Sequence, residues 1–435
     1  MTVEKPRQIA FEVLLEHSKG EEFAEDLLAS ALTNTRLNQA DRGLAQELVF
    51  GVVRWQRLLD HLIDSRTGGR DQQPIVRILL RLGLYQLALL QRIPAHAAVH
   101  ETVECAKSAG LGPVVGFINA FCRKASAELE LIGRQISDLE SSRPEVRWSH
   151  PDWLAGRWQA RWGVLESTAL MRWNNTPPAV FACVNRLKVT PLELEAMWQA
   201  EGVQFAPRSF PWCKPGDLYE LQKHPSLTSM SSFAGGGFYI QDPSTLLAPL
   251  LMSPQPGEKV LDLCAAPGGK TVLMAQLMNN QGTLIAQDTH RARLEMIRQN
   301  CHRLGVTCVR VSTATTVTHP DLSMKFDRIL IDAPCSNTGV MRRRVDLRWR
   351  ITSEELDRLC AVQAELLAEA APQLRPGGVV AYSTCSLEPE ENGEQIRAFL
   401  KKNPAFTLLE EQSLFPPKHG VDGAYVAVLK HVALT

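Results

Sequence analysis

The feature that most constrains the fold is an alternation in the last two hundred residues. After Gly235-Gly236-Gly237, short apolar runs recur with helix-length stretches between most of them: Lys259–Leu263 (KVLDL), Thr283–Gln287 (TLIAQ), Thr307–Val311 (TCVRV), Phe326–Ile331 (FDRILI) and Gly378–Ser383 (GVVAYS). Strands separated by helices pair in parallel and wind both faces of one sheet with helix. The pattern predicts an α/β doubly wound, Rossmann-like domain over residues 238–435. A last run, Gly423–Lys430 (GAYVAVLK), reads as a late strand completing the sheet edge.

Upstream the texture changes twice. Residues 1–140 carry only helical periodicity, illustrated by Ile75, Leu79, Leu82 and Gln86, with breaks at Gly68-Gly69, Pro94 and Gly110-Leu111-Gly112-Pro113. That spacing predicts an all-α domain. Residues 141–237 are rich in Trp and Pro, with short apolar runs such as Ala179–Leu187 (AVFACVNRL), and read as a small α/β linking or RNA-binding module. The expected boundary is Ser141-Ser142-Arg143-Pro144.

Charge and composition exclude several classes. The 435 residues hold 47 basic and 47 acidic side chains, so no global field draws the chain to a polyanion, and any such site must be a local patch. Residues 1–140 hold 16 Lys and Arg against 18 Asp and Glu. The most apolar window, ILLRLGLYQLALL, contains Arg81 and stops before Pro94, short of the roughly 20 apolar residues a membrane span needs. The opening MTVEKPRQ has no apolar signal core. A cytoplasmic address and no membrane are expected. The ten cysteines include no C-x-x-C pair, and no His cluster has zinc-ligand spacing, so no metal is expected.

The first strand of the alternating region runs into Cys264, Ala265, Ala266, Pro267, Gly268, Gly269 and Lys270 (CAAPGGK). Glycines between strand and helix let backbone approach a ligand whose polar groups meet the helix N–H donors. The next strand ends in Asp288, a candidate acceptor for ribose hydroxyls. The loop is neither the G-x-G-x-x-G of dinucleotide enzymes nor a phosphate loop. An adenosine ligand without a pyrophosphate fits better, and S-adenosylmethionine is the common one.

Two thiols fall at the ends of later strands. IDAPCSNTGV places Cys335 after Asp332, and VVAYSTCSLEPEEN places Cys385 just past the fifth strand. In an open parallel sheet the carboxyl ends of strands form the ligand crevice, so Cys335, Cys385, Asp332 and Lys270 should face one pocket. A thiolate is a strong soft nucleophile. With a methyl donor, this set suits alkylation of pyrimidine carbon 5, a poor nucleophile until a thiolate adds to carbon 6. Asp332 could then hold the ring nitrogen and offset developing charge.

The blocks LDLCAAPGGKT, DAPCSNTG and YSTCS resemble the signatures of the Fmu/Sun family of RNA 5-methylcytosine methyltransferases. The resemblance implies RNA as partner, S-adenosylmethionine as cofactor, the T-C-S cysteine (Cys385) as nucleophile and the P-C-S cysteine (Cys335) as the group that assists product release. LVFGVVRWQRLLD and FINAFCRKASAE resemble the NusB-like helical domain of a bacterial branch that acts on small-subunit rRNA. One departure stands out: relatives end the third strand in an acid, where this chain has Thr313 beside Val309, Val311 and Val317.

For RNA contact the local candidate is GVMRRRVDLRWR, with Arg342, Arg343, Arg344, Arg348 and Arg350 beside Trp349. Guanidinium groups can hold phosphates, and aromatic planes can stack on unpaired bases. An amino-methyltransferase would place N-P-P-[YF] or D-P-P-[YF] where this chain has DAPC. A silent RNA-binding scaffold would have no need of both cysteines and Lys270.

Overall fold

The computed structural model describes residues 5–20, 22–33, 35–313 and 325–432. Val317, singled out above, lies outside them. The chain forms two compact units, one of residues 1–176 with 341–350, the other of residues 177–340 with 351–435.

The first unit is helical among its described residues. The helix Pro74–Ala88 is its axis, with Val76, Ile78, Leu79, Leu80, Leu82, Leu84 and Tyr85 all buried, as a helix apolar on every side must be. Gly51 allows a neighbouring helix to lie against Tyr85, since a Cβ there would stand 2.0 Å from its ring. The expected breaks hold: Gly68 closes a helix in the left-handed conformation, and Pro94 precedes the helix Ala95–Ser108.

The helical unit runs past the expected boundary at 140. The helices Pro144–Arg147 and Asp152–Trp173 belong to it, and the segment Met341–Arg350 joins it. This corrects the reading of Arg342, Arg348 and Trp349 as part of an RNA-facing patch. Arg348 is fully buried and donates to Asn175 Oδ1 (2.9 Å), Asn174 O (3.0 Å), Ser149 O (3.3 Å) and Arg54 O (3.4 Å). Trp349 donates through Nε1 to Val53 O (2.8 Å), and the buried Arg342 lies over the Trp173 ring. Asp346 accepts from Ala24 N (2.6 Å) and pairs with His17 (3.3 Å). The planar fork of Arg348 matches several carbonyls at once, which a solvated charge has no reason to do. Arg343 and Arg344 are exposed.

The second unit contains two sheets. The small one has β1 (Val180–Val184), β2 (Gln204–Pro207), β3 (Leu218–Lys223) and β4 (Phe238–Ile240), in the order β2-β3-β1-β4 and antiparallel throughout. Trp198 fills its core among Phe205, Tyr219 and Phe238. Its other side is fixed to the large domain: Phe181, Cys183 and Leu218 share a core with Met252, Val272 and Leu294, and Asn185 Nδ2 donates to Leu304 O (2.8 Å).

The large sheet has seven strands: β5 (Lys259–Leu263), β6 (Thr283–Gln287), β7 (Val309–Ser312), β8 (Phe326–Asp332), β9 (Leu374–Thr384), β10 (Phe406–Leu414) and β11 (Ala424–His431). Their order is β10-β11-β9-β8-β5-β6-β7, with β9, β8, β5, β6 and β7 parallel and β11 antiparallel to β9 and β10. The order reverses between β5 and β8, and at such a switch point the loops part and leave a crevice. One expectation is corrected. The last strand, β11, is interior, and the edge is β10, whose exposed middle (Leu408, Leu409, Glu410, Glu411) carries no apolar alternation to read.

Replacing Arg348 by Ala should lower the stability of the full chain by about 3 kcal/mol, because several buried oxygens lose their donor together. A guanidinium denaturation curve within about 1 kcal/mol of the parent would contradict the structural role given to this side chain.

Candidate active site

The crevice at the switch point is built from three strand ends. β5 ends at Leu263, opposite Ile331 of β8, and Asp332 lies opposite Ser383 of β9. Past β5 the chain turns sharply. Cys264 has φ +60°, Ala265 N donates to Gln287 O (2.8 Å), and Gly268 at φ +100° starts the helix Gly269–Leu277. That left-handed φ favours glycine at 268, and a Cβ on Gly269 would stand 2.8 Å from Gln241 Nε2. The helix's first amides have no acceptor within the helix and face the crevice mouth.

Asp288, nearly buried just past β6, accepts from Ala266 N (3.3 Å) and His290 N (3.0 Å). It thereby braces the Cys264–Lys270 loop, and each oxygen retains a lone pair for a hydroxyl. Bare backbone at two glycines, a helix start and an acid one strand over fit an adenosyl ligand. Thr313 is exposed just past β7.

Lys270 and Asp332 form an ion pair with Nζ 2.6 Å from Oδ2, and Ser383 donates to the other carboxylate oxygen (3.3 Å). Burial pulls the Lys270 ammonium down, but the adjacent Asp332 charge outweighs it and the net shift is upward. Deeper still is Asp262, fully buried, with Oδ2 accepting from Thr271 Oγ1 (2.6 Å) and Oδ1 without a partner. Burial pushes its carboxyl up to about 7.

Cys335 and Cys385 meet, with sulfur atoms 3.4 Å apart. The hydrogen bond to Cys385, joined by burial, holds the Cys335 thiol well above the ordinary thiol range. Asn337, at φ +57°, donates through Nδ2 to Cys335 O (2.6 Å) and so turns its oxygen towards Cys385 Sγ (3.0 Å). Gly339 N donates to Cys385 O (2.9 Å), and a Cβ at Gly339 would meet that oxygen at 2.7 Å.

Cys335, Cys385, Asp332 and Lys270 are thus brought together, with Cys264–Gly269 and Asp288 lining the approach. The arginine segment is not part of this set. Asn337 and the buried Glu391, which accepts from Ser336 N (2.8 Å), were not singled out from sequence. The available signal for Asn337 was its type: Asn is enriched at left-handed positions. Glu391 offered none beyond a run of acids. Among the described residues no group of three or more His, Cys, Asp or Glu could hold a metal, and no helix is long and apolar enough to cross a membrane.

Because folded Asp262 holds its proton more tightly than the unfolded chain does, its contribution to stability falls as pH rises from about 4 to about 7 and is level above. Relative to Asp262→Asn, the parent should therefore lose on the order of 3 kcal/mol across that range in denaturant titrations. A pH-independent difference would contradict this.

Comparison with known proteins accounts for most of the chain. Residues 249–430 match the model of the 16S rRNA methyltransferase RsmB/F, residues 4–127 that of the NusB family, and residues 150–213 a ferredoxin-like domain of RsmF/B-like methyltransferases. A probable ribosomal RNA small subunit methyltransferase B of Bacillus subtilis is 34% identical over 407 residues, covering 92% of this chain and 89% of its own. A ribosomal RNA small subunit methyltransferase B of Cronobacter sakazakii is 36% identical over 376 residues, covering 85% and 84%. The solved structure of a methyltransferase homolog protein from Pyrococcus horikoshii superposes with a TM-score of 0.59 at 31% identity, covering 66% of this chain and 98% of that one. On these matches, the chain belongs to the RsmB/F family of S-adenosylmethionine-dependent RNA methyltransferases.

Proposed function

We propose that this protein methylates carbon 5 of a cytosine in small-subunit rRNA through a covalent bond between Cys385 and carbon 6. The observation that carries the reading is the pair of thiols 3.4 Å apart at the ends of adjacent strands. Carbon 5 becomes nucleophilic only while a thiolate is bonded to carbon 6, and the product can leave only after a base removes the carbon 5 proton. One sulfur serves the first need and a second sulfur within reach serves the other.

Cys264–Gly269 and Asp288 would hold S-adenosylmethionine, which would supply an electrophilic methyl group. The chain's own residues do the rest. Asn337 orients the Cys385 thiol, which gives its proton to solvent and adds as thiolate to carbon 6. The Lys270–Asp332 pair meets the polar edge of the base and offsets the charge that develops there. Cys335 is held protonated chiefly by its hydrogen bond to Cys385. Once the Cys385 sulfur is bonded to carbon, that restraint is gone, and Cys335 can release its proton to solvent and, as thiolate, take the carbon 5 proton. The carbon–sulfur bond electrons then return to Cys385. The two thiols thereby act in order.

The names of the relatives support rRNA as substrate, and a NusB-family domain gives a second module for an RNA partner. Within the run after Cys335, the exposure of Arg343 and Arg344 supports a phosphate contact at those two residues. Ten cysteines without a disulfide suit a reducing, cytoplasmic setting.

Incubated with labelled cofactor and rRNA, Cys385→Ala should transfer no methyl group, while Cys335→Ala should accumulate a protein–RNA adduct stable to denaturing electrophoresis. The double variant should form none. Turnover by Cys385→Ala, or an adduct that persists in the double variant, would reverse or remove the two roles.

A further inference from the structure

Behind the two thiols lies a carboxylate that the chemistry above does not use. Glu391 is fully buried, in the loop between β9 and the helix Gly393–Lys402. Its Oε1 accepts from Ser336 N (2.8 Å) and Gln363 Nε2 (3.0 Å). Its Oε2 accepts from Ser336 Oγ (2.5 Å) and from Ser386 Oγ. Ser336 follows Cys335 and Ser386 follows Cys385, so one side chain grips the residue next to each thiol.

The surrounding bonds close the clamp. The two serine hydroxyls are 3.0 Å apart, and Thr338 Oγ1 lies 3.3 Å from Ser386 Oγ while accepting from Leu387 N (2.8 Å). Gln363 also donates to Pro334 O (3.0 Å), and Tyr382 donates to Glu391 O (2.7 Å). Asn392 Nδ2 donates to Ser386 O (2.9 Å). A buried carboxylate is costly unless its lone pairs are satisfied, and here four donors converge on two oxygens. Those donors come from three separate stretches of chain, whose mutual placement therefore runs through this one group.

We infer that Glu391 is a positioning residue for the release step: it holds the Cys335 loop against the Cys385 loop so that the second thiol stays within reach of the adduct formed by the first. The inference rests on the thiol roles proposed above. Attack uses the Cys335 loop only through the Asn337 contact with the Cys385 thiol, whereas release also needs the Cys335 sulfur itself against the adduct, so loss of the clamp falls mainly on release. Gln can replace Glu, since its oxygen can accept from Ser336 N and Gln363 while its amide donates to the two hydroxyls, which turn to accept.

The test compares Glu391→Ala, Glu391→Gln and Cys335→Ala in one assay of methyl transfer and denaturation-resistant adduct. Glu391→Ala should cut turnover tenfold or more, leave the calorimetric Kd for S-adenosylmethionine within twofold, and accumulate adduct as Cys335→Ala does. Glu391→Gln should recover most of the turnover without adduct. If Glu391→Ala does not fold, the double variant Ser336→Ala/Ser386→Ala removes the hydroxyl legs and should give the same adduct. Adduct in Cys335→Ala but in neither clamp variant overturns the inference and leaves the thiol roles standing. No adduct in Cys335→Ala overturns both.

Discussion

The site depends on the register between β8 and β9. Asp332 lies opposite Ser383, and the chain then reaches Cys335 three residues on from one and Cys385 two residues on from the other. Their sulfurs meet at 3.4 Å because the strands pair in parallel in that register. A slip of one residue would move one thiol by about 3.3 Å along the strand and turn its neighbours to the other face. Ala333 N, donating to Ser383 O (2.9 Å), and Gly339 N, donating to Cys385 O, carry the pairing beyond the regular strands. The Gly339–Gly423 contact, with N–H bonded to carbonyl at 2.8 Å, admits no side chain and ties β11 to the same loop.

Most of the catalytic fold was legible because its signals are local. Parallel strands buried on both faces are written as compact apolar runs, and β5 and β6 begin and end where those runs do. β10 was not legible, because an edge strand with its middle in solvent needs no apolar face, and FTLLEEQSL shows none. Without it, β11 looked like the edge. Arg348 was misread for a related reason: a run of charges reads as solvated face or ligand surface, and only tertiary structure shows that this side chain meets carbonyls far away in sequence. Glu391 was invisible for the same cause, since its partners Ser336 and Gln363 lie 55 and 28 residues away.

Burial has opposite uses in the two units. In the helical unit it fixes Arg348, whose charge is offset by carbonyl dipoles and which thereby anchors Met341–Arg350 within that unit. In the catalytic unit burial sets acidity. It raises Asp262 and Glu391, and it helps the Cys385 contact to raise Cys335. Lys270 is the exception, kept charged by Asp332. Charge is costly in a low-dielectric pocket, so the Glu391 carboxylate needs its converging donors, and the Lys270–Asp332 pair gives the pocket a place to balance charge on a base.

In the proposed reaction the Cys385 sulfur bonds to carbon 6 of the target cytosine. Fluorine at carbon 5 cannot leave as a proton does, so rRNA carrying 5-fluorocytidine should hold the enzyme at the methylated adduct. Protease and nuclease digestion of that complex, followed by mass spectrometry, should find one modified nucleotide on the peptide containing Cys385. A nucleotide on the Cys335 peptide, or methylated RNA with no adduct on either cysteine, would contradict the account.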